Sequence, residues 1–368
     1  MRILYGVVGE GMGHATRSKV AIEHLLKRGH EVKVVVSGRA HAFLAESFPD
    51  VVAIKGLTIR YVDNAMDTRG SVARNLLAAP EMLIENVAAY YDKVLDFAPH
   101  AVVTDFDSFA YLYAQRHRIP ILSIDNQQII CRCKHAGAIK KGVKVDYQLT
   151  KAFVKAKLPS CDHYVVTTFF YPHVRKKYAR TTTLVPPILR RAVLEAKAAA
   201  SHGDHVLVYQ TSTSDTRIVQ RLNQVQDTRF IVYGLRRSER HGNCTLKEFS
   251  EDGFVEDLAR ARAVVTNGGL SLIGEALYLG KPIYSIPVQH QFEQIMNARY
   301  VEELGFGLTT NDLEPDVLRM FLHENAKYAW RVAKHQQDGN KLLFTAIDRW
   351  LRDSHAFHAG GETSAPHT

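Results

Sequence analysis

The sequence predicts an α/β chain built from two doubly wound, Rossmann-like units. Three observations carry that expectation. Arg2–Val8 is a short apolar run, followed by a glycine-rich turn, a helical stretch and a second apolar run at Glu31–Val36. The same order returns at Ala263–Ile286. With 368 residues the chain is long enough for two such units.

Size and composition narrow the class. Hydrophobic residues make up 46% of the chain, enough for packed cores, and the net charge of +9 suits an anionic partner. Cys131, Cys133, Cys161 and Cys244 are too scattered for a disulfide framework, and Cys131-x-Cys133 lacks zinc spacing. They read as reduced thiols in a cytoplasmic protein. No apolar run approaches the roughly 20 residues of a membrane span. Met1–Val8 is too short for a signal peptide and reads better as a strand.

Taken in order, Arg2–Val8 is a buried strand and Gly9-Glu10-Gly11-Met12-Gly13-His14 is its turn. A helix runs from about Thr16 to Lys27 and stops at Gly29. The glycine turn lies at the carboxyl end of a strand, where open α/β sheets bind ligands. Its spacing lacks the final gap of the dinucleotide fingerprint, and no acidic residue closes Glu31–Val36, so nicotinamide or flavin binding is not expected. Val51–Tyr61 reads as a strand, Asp63–Gly70 as a polar loop, and Leu76–Phe97 as a helix ending before Pro99. Ala101–Thr104 and Pro120–Ile124 are strands, with helix Ser108–His117 between them.

Acidic and amide groups emerge at those strand ends: Asp105 and Asp107, then Asp125 and Asn126. Each aspartate is either a helix N-cap or turn residue, or a group that orients His14 or holds a ligand there. Cys161–Thr167 reads as the last strand of the first unit and Leu184–Ala200 as the connection. Val206–Tyr209 restarts a strand, and Thr211-Ser212-Thr213-Ser214 is a hydroxyl-rich turn at its end. Phe230–Tyr233 is a strand, Asn297–Leu304 a helix, and about Glu324–Arg352 a final helical run. The polar tail His355–Thr368 is expected to fray.

Ala263–Gln294 carries the most chemistry. After the strand, Thr266-Asn267-Gly268-Gly269 breaks the run and helix Leu270–Leu279 follows, ended by Gly280 and Pro282. A helix that opens after two glycines leaves N–H groups free and lets a ligand approach bare backbone, which makes an anion site. Glu275 lies four residues after Ser271 on one helix face, placed to accept hydrogen bonds from ribose hydroxyls.

These residues resemble a known family. N-G-G-x-S-x-x-x-E at Asn267–Glu275, then G-K-P and P-V-Q-H-Q-F-E-Q, is similar to the donor half of GT-B glycosyltransferases. G-E-G-M-G-H-A-T-R-S at residues 9–18 resembles their amino-terminal half. The resemblance implies two facing domains with an interdomain cleft. It gives an acceptor domain at 1–185, completed by a carboxyl-terminal helix at about 335–354, and a donor domain at 203–334. It implies that Gly268, Gly269 and Ser271 cradle a diphosphate and Glu275 holds the ribose. Glu293 and Gln294, with His290 beside them, would grip the donor sugar. Phe254 and Val255 would lie in a base-reading loop, and Thr211 and Ser212 in the first donor loop. His14 matches the histidine that activates the acceptor hydroxyl, an imidazole suited to taking a proton near neutral pH. Helix capping, or binding of an acceptor phosphate, is its other reading.

Gly11, Gly13, Arg17, Asp105, Asp107, Asp125 and Asn126 are the acceptor-side candidates; Arg17 would meet an anionic group or is an exposed structural residue. The expected reaction is transfer of a sugar from a nucleotide-sugar co-substrate, with uridine as the base, to a glycan or lipid-linked hydroxyl. No metal is expected, because Asp105-Phe106-Asp107 has metal-motif lettering but stands in the acceptor half. A nucleotide-sugar 2-epimerase of the same fold is the first rival.

Cys131–Leu158 holds eight basic residues against Asp146, +7 of the chain's excess. At about 100° per residue, Lys140, Lys144, Lys151 and Lys155 edge an apolar arc of Val143, Tyr147, Val154 and Leu158. That pattern fits either a helix at an anionic membrane surface on the inner face of the cell membrane, or a solvated helix packed on its sheet. Few aromatics interleave with these lysines, so nucleic acid is not an expected partner.

Overall fold

The computed structural model describes residues 1–9, 11–56, 60–62, 65–67, 86–210 and 217–361. The first unit holds β1 (Arg2–Val7), β2 (Glu31–Ser37) and β3 (Val51–Ile54). A separate antiparallel ribbon follows, β4 (Arg60–Val62) and β5 (Ala65–Asp67). Then come β6 (Ala101–Asp105), β7 (Ile121–Asp125), β8 (His163–Thr167) and β9 (Thr182–Val185). They make an all-parallel sheet in the order β3-β2-β1-β6-β7-β8-β9. The second unit holds β10 (His205–Tyr209), β11 (Arg229–Tyr233), β12 (Glu239–His241) and β13 (Cys244–Lys247). It continues with β14 (Ala263–Thr266), β15 (Ile283–Ser285) and β16 (Gly307–Thr309). Its order is β12-β13-β11-β10-β14-β15-β16, parallel except for the edge strand β12.

Burial on both faces explains the continuous apolar runs: Ile3–Val7, Ala101–Asp105 and Ile121–Asp125 are buried throughout. Strand alternation sends Ile3, Tyr5 and Val7 to one face. There they meet Leu343, Ile347, Trp350 and Leu351 of the helix Lys341–Gly361, which returns from the second unit. His24 stacks on Phe344 with ring centroids 4.1 Å apart and bonds Asp348 at 2.8 Å. Each of these large apolar side chains is worth about 1.5–3 kcal/mol of burial, so the helix is firmly held.

Several element expectations change. β9 follows β8, so Cys161–Thr167 is not the last strand of its sheet; the polar Thr181–Thr183 stretch hides an edge strand. The expected strand Val51–Tyr61 ends at Ile54. Residues 76–85 of the expected long helix lie outside the described residues. The run from Glu324 is two helices, Asn325–Val332 and Lys341–Gly361, separated where Gly339 and Asn340 take positive φ. The first helix begins at Met12, which places His14 in its first turn rather than ahead of it.

In each sheet the connection reverses direction beside a central strand, between β1 and β6 and between β10 and β14. Open α/β sheets bind ligands at such switch points, beyond the carboxyl ends of the strands. The segments emerging there are the His14 turn and Asp105 in one unit, and Asn267–Gly269 in the other.

Candidate active site between the two sheets

The first switch point is a buried ionic knot. Asp105, 1% exposed at the end of β6, accepts from Arg17 at both oxygens, Nε to Oδ2 at 2.7 Å and Nη2 to Oδ1 at 2.5 Å. Ser18 donates to Oδ2 at 3.0 Å. The Nδ1 of His14 lies 2.9 Å from Oδ1. Burial alone would raise the carboxyl's pKa, but Arg17 and His14 outweigh it and hold Asp105 well below the usual range. Arg17 also donates from Nη1 to Asn126 at 2.7 Å, and its Nη2 stands 2.7 Å from His14 Nδ1. No side chain caps the first helix, so His14 is not a cap; its ring belongs to Asp105 and Arg17.

Across the gap, Gly268 takes φ +95°, and Gly269 opens the helix Leu270–Tyr278 without a side-chain cap. Asn297 donates to the Gly268 carbonyl at 3.0 Å, and Asn267 donates to Ile286 at 3.1 Å. A side chain at Gly269 would meet nothing within 4 Å, so the ground before this helix end is open. Ser271 Oγ lies 3.5 Å from the Gly13 carbonyl, so the two helix starts face each other. Gly11 precedes the first helix at φ +128°.

The helix Phe292–Glu303 spans the same gap. Glu293 in its first turn accepts from the side-chain amides of Asn126 and Gln127, in the opposite unit. Gln294 Oε1 accepts from the Val288 N–H at 3.1 Å and braces the preceding loop. His290, at φ +63°, is exposed and sits 3.6 Å from Asp146 of the opposite unit. Farther along, Tyr300 stacks on Phe170 with centroids 3.7 Å apart, and Arg299 donates to the Ile139 carbonyl at 2.8 Å.

Other candidates sit elsewhere than expected. Arg17 is buried and committed to Asp105 and Asn126, so it is neither an exposed residue nor a free acceptor ligand. Asp107 caps helix Ser108–His117 by accepting from the Ala110 N–H at 2.8 Å, and burial pushes its carboxyl up to about 6. Asp125 holds a turn, accepting from Ser123 at 2.5 Å and the Gln128 N–H at 2.8 Å. Glu275 is buried and gripped by Arg190, Nε to Oε1 at 2.7 Å and Nη2 to Oε2 at 2.8 Å, so it is not an open carboxylate. Phe254 and Val255 are inside the helix Glu251–Arg260 with buried side chains, and the Phe254 N–H donates to the Ser250 carbonyl, so they stand in a helix and not in the expected loop. Thr211 and Ser212 lie outside the described residues.

Sequence reasoning missed Arg190, which follows Pro186-Pro187 with nothing to mark it. It also gave no role to Gln127, although that residue was in view beside Asn126.

Two mostly parallel sheets facing across a gap lined by two glycine-led helix starts form the GT-B architecture, and the family match makes the chain a hexosyltransferase-type glycosyltransferase. The chain belongs to glycosyl transferase family 1, whose model it matches over residues 1–325. An uncharacterised glycosyltransferase of Methanosarcina acetivorans is 25% identical over 392 residues, 95% of this chain and 98% of the relative. One from Methanosarcina mazei is 24% identical over 373 residues, 93% and 95% of the two chains. In architecture the chain is similar to the glycosyltransferase of kitacinnamycin, with TM-score 0.65 and 19% identity over 95% and 98% of the chains. It is also similar to CalG4, the calicheamicin glycosyltransferase, with TM-score 0.63 and 17% identity over 100% of both. MurG of Acinetobacter baumannii follows the same fold, with TM-score 0.57 and 12% identity over 95% and 99%.

Proposed function

We propose that this glycosyltransferase moves a sugar from a UDP-sugar to the hydroxyl of a glycan or lipid-linked acceptor, with the reacting groups meeting between His14 and Gly269. The observation that carries the reading is the facing of the two helix starts, with His14 held by Asp105 on one side and the open Gly269 end on the other. With Nδ1–H donating to Asp105, the Nε2 of His14 keeps its lone pair for the acceptor proton. The departing diphosphate would be met by the backbone N–H groups and dipole of helix Leu270–Tyr278 in place of a metal. The donor sugar's hydroxyls would take Glu293 over from Asn126 and Gln127, while Gln294 keeps the loop in place. Residues 1–185 with the returning helix serve as the acceptor domain, and 203–334 as the donor domain.

Thermal-shift titration with UDP, GDP and dTDP sugars tests the donor, and stabilisation by a UDP-sugar is the expected result. Free nucleotide should appear only when acceptor is present; release without acceptor would favour the 2-epimerase reading. Turnover is expected to survive EDTA, and activity that collapses in chelator and returns with magnesium would overturn the metal-free reading.

The glycines give a second, separable test. A methyl at Gly268 would stand 2.9 Å from the Gln294 carbonyl at an unfavourable positive φ, so Gly268→Ala should lower stability by about 1–3 kcal/mol. Gly269→Ala has φ −66° and free space, so it should leave the melting temperature unchanged. If a diphosphate rests on bare backbone there, calorimetry should show weaker UDP binding by Gly269→Ala; unaltered affinity would count against the site.

A further inference from the structure

The helix Lys144–Lys157 has two apolar faces: one is buried in the core, and the other is exposed, with the Phe153 ring packing edge-on against Phe106 at 6.1 Å. The arc singled out from the sequence, Tyr147 and Val154 with Leu158 beyond, is buried in the core, so it is not a membrane face. The opposite face carries Val145, Leu149 and Phe153, which are 71%, 61% and 47% exposed. They recur every four residues and make one stripe, about 12 Å long at the helical rise per residue. Ala152 and Ala156 fall in the same arc and are exposed. Lys144, Lys151 and Lys155 border the stripe on one side. On the other, Lys157 lies 5.7 Å from the Phe153 ring centroid and 4.5 Å from that of Phe106. Lys140 and Lys141 precede the helix, and Asp146 is the sole acid between residues 131 and 158. Arg132 takes no part, being stacked on the rings of Tyr164 and Tyr178.

We infer that this outward stripe lies in the head-group region of an anionic bilayer. Three apolar side chains on one helix offer far less than the roughly 800 Å² per partner of a stable protein interface. A lipid surface asks only for apolar side chains to enter and a cationic rim to meet phosphates, with the lysine stems lying along the boundary. Among the described residues no helix is long and apolar enough to cross a membrane, so the contact is a surface one. The same helix touches the donor side of the cleft: Tyr147 packs on Phe292 at 5.2 Å, and Asp146 faces His290. A bilayer there would stand beside the mouth of the site, so a membrane-borne acceptor is its natural substrate. That last step rests on the proposed glycosyl transfer; the membrane contact does not.

Flotation with vesicles of phosphatidylglycerol and phosphatidylcholine, without donor, tests it. The protein should bind these vesicles at low salt and lose about tenfold or more in partitioning on pure phosphatidylcholine. Leu149→Glu/Phe153→Glu should lose as much while keeping its thermal shift with nucleotide sugar, measured without vesicles. Should that variant fail to fold, Lys144→Glu/Lys155→Glu carries the same expectation through charge alone. No vesicle binding, equal binding by the variants, or binding of single-stranded oligonucleotide in place of vesicles would overturn the inference. So would a dimer in sedimentation velocity that Leu149→Glu/Phe153→Glu abolishes, because the stripe would then join two copies of the chain. A failed vesicle assay with intact nucleotide-sugar binding removes only this inference; lost nucleotide-sugar binding in the parent removes the other.

Discussion

His14→Ala is expected to lower kcat by about 10²–10⁴ while leaving the affinity for nucleotide sugar unchanged. The expectation follows from position. His14 stands in the first turn of its helix, half-buried, and its Nδ1 is fixed 2.9 Å from a carboxylate that cannot turn, because Arg17 and Ser18 hold both oxygens. With Nδ1 fixed, Nε2 is the ring nitrogen that would take the acceptor proton in the proposed reaction. Arg17 Nη2 lies 2.7 Å from the same Nδ1 and competes for it, favouring the tautomer with its proton on Nε2. In the proposed reaction Nε2 can take the acceptor proton only while Asp105 wins that competition. Steady-state kinetics, with the donor Kd measured separately, reads the effect. Undiminished kcat in His14→Ala would remove this residue from the chemistry.

Much of this architecture is legible because parallel strands buried on both faces must be apolar end to end. Arg2–Val8 and Ala263–Val265 announce themselves in that way, and the glycine turns after them mark the switch points. Edge strands carry no such constraint, so β9 and β12 are hidden among polar residues. The site divides along the same line. His14 and the Gly268-Gly269 pair are readable because local backbone geometry demands those residue types. Partner choice is not local. Glu275 has helical spacing from Ser271, but an arginine 85 positions away takes both its oxygens. Phe254 and Val255 resemble a reading loop in lettering, but the amphipathic Glu251–Arg260 stretch folds as a helix that buries them. In Lys144–Lys157 the periodicity of Tyr147 and Val154 marks one apolar arc, but only the position of the sheet shows that this arc is covered and that Val145, Leu149 and Phe153 face out.

Asp105→Ala is expected to cost about 3–5 kcal/mol of stability, the effect of stranding a buried charge. Arg17 is 6% exposed and would retain Asn126, the ring of His14 and the more distant charges of Asp125 and Glu293, but no carboxylate in direct contact. For a domain of this size that loss corresponds to a fall in melting temperature on the order of 10 °C, readable by calorimetry. Removing both charges separates stranding from lost packing: Arg17→Met/Asp105→Ala should recover much of what Asp105→Ala alone loses, because no ion is then left without its partner. A double variant no more stable than Asp105→Ala would show that the knot acts through packing. The pH dependence supplies an independent check. The folded carboxyl is held below its unfolded value, so its stabilisation is present above the unfolded pKa of about 4 and is lost as pH falls through the folded one. The gap between parent and Asp105→Ala should thus be constant from neutral pH down to about 4 and shrink only below that. A gap that begins to close well above about pH 5 would mean that Arg17 does not hold the Asp105 carboxyl down.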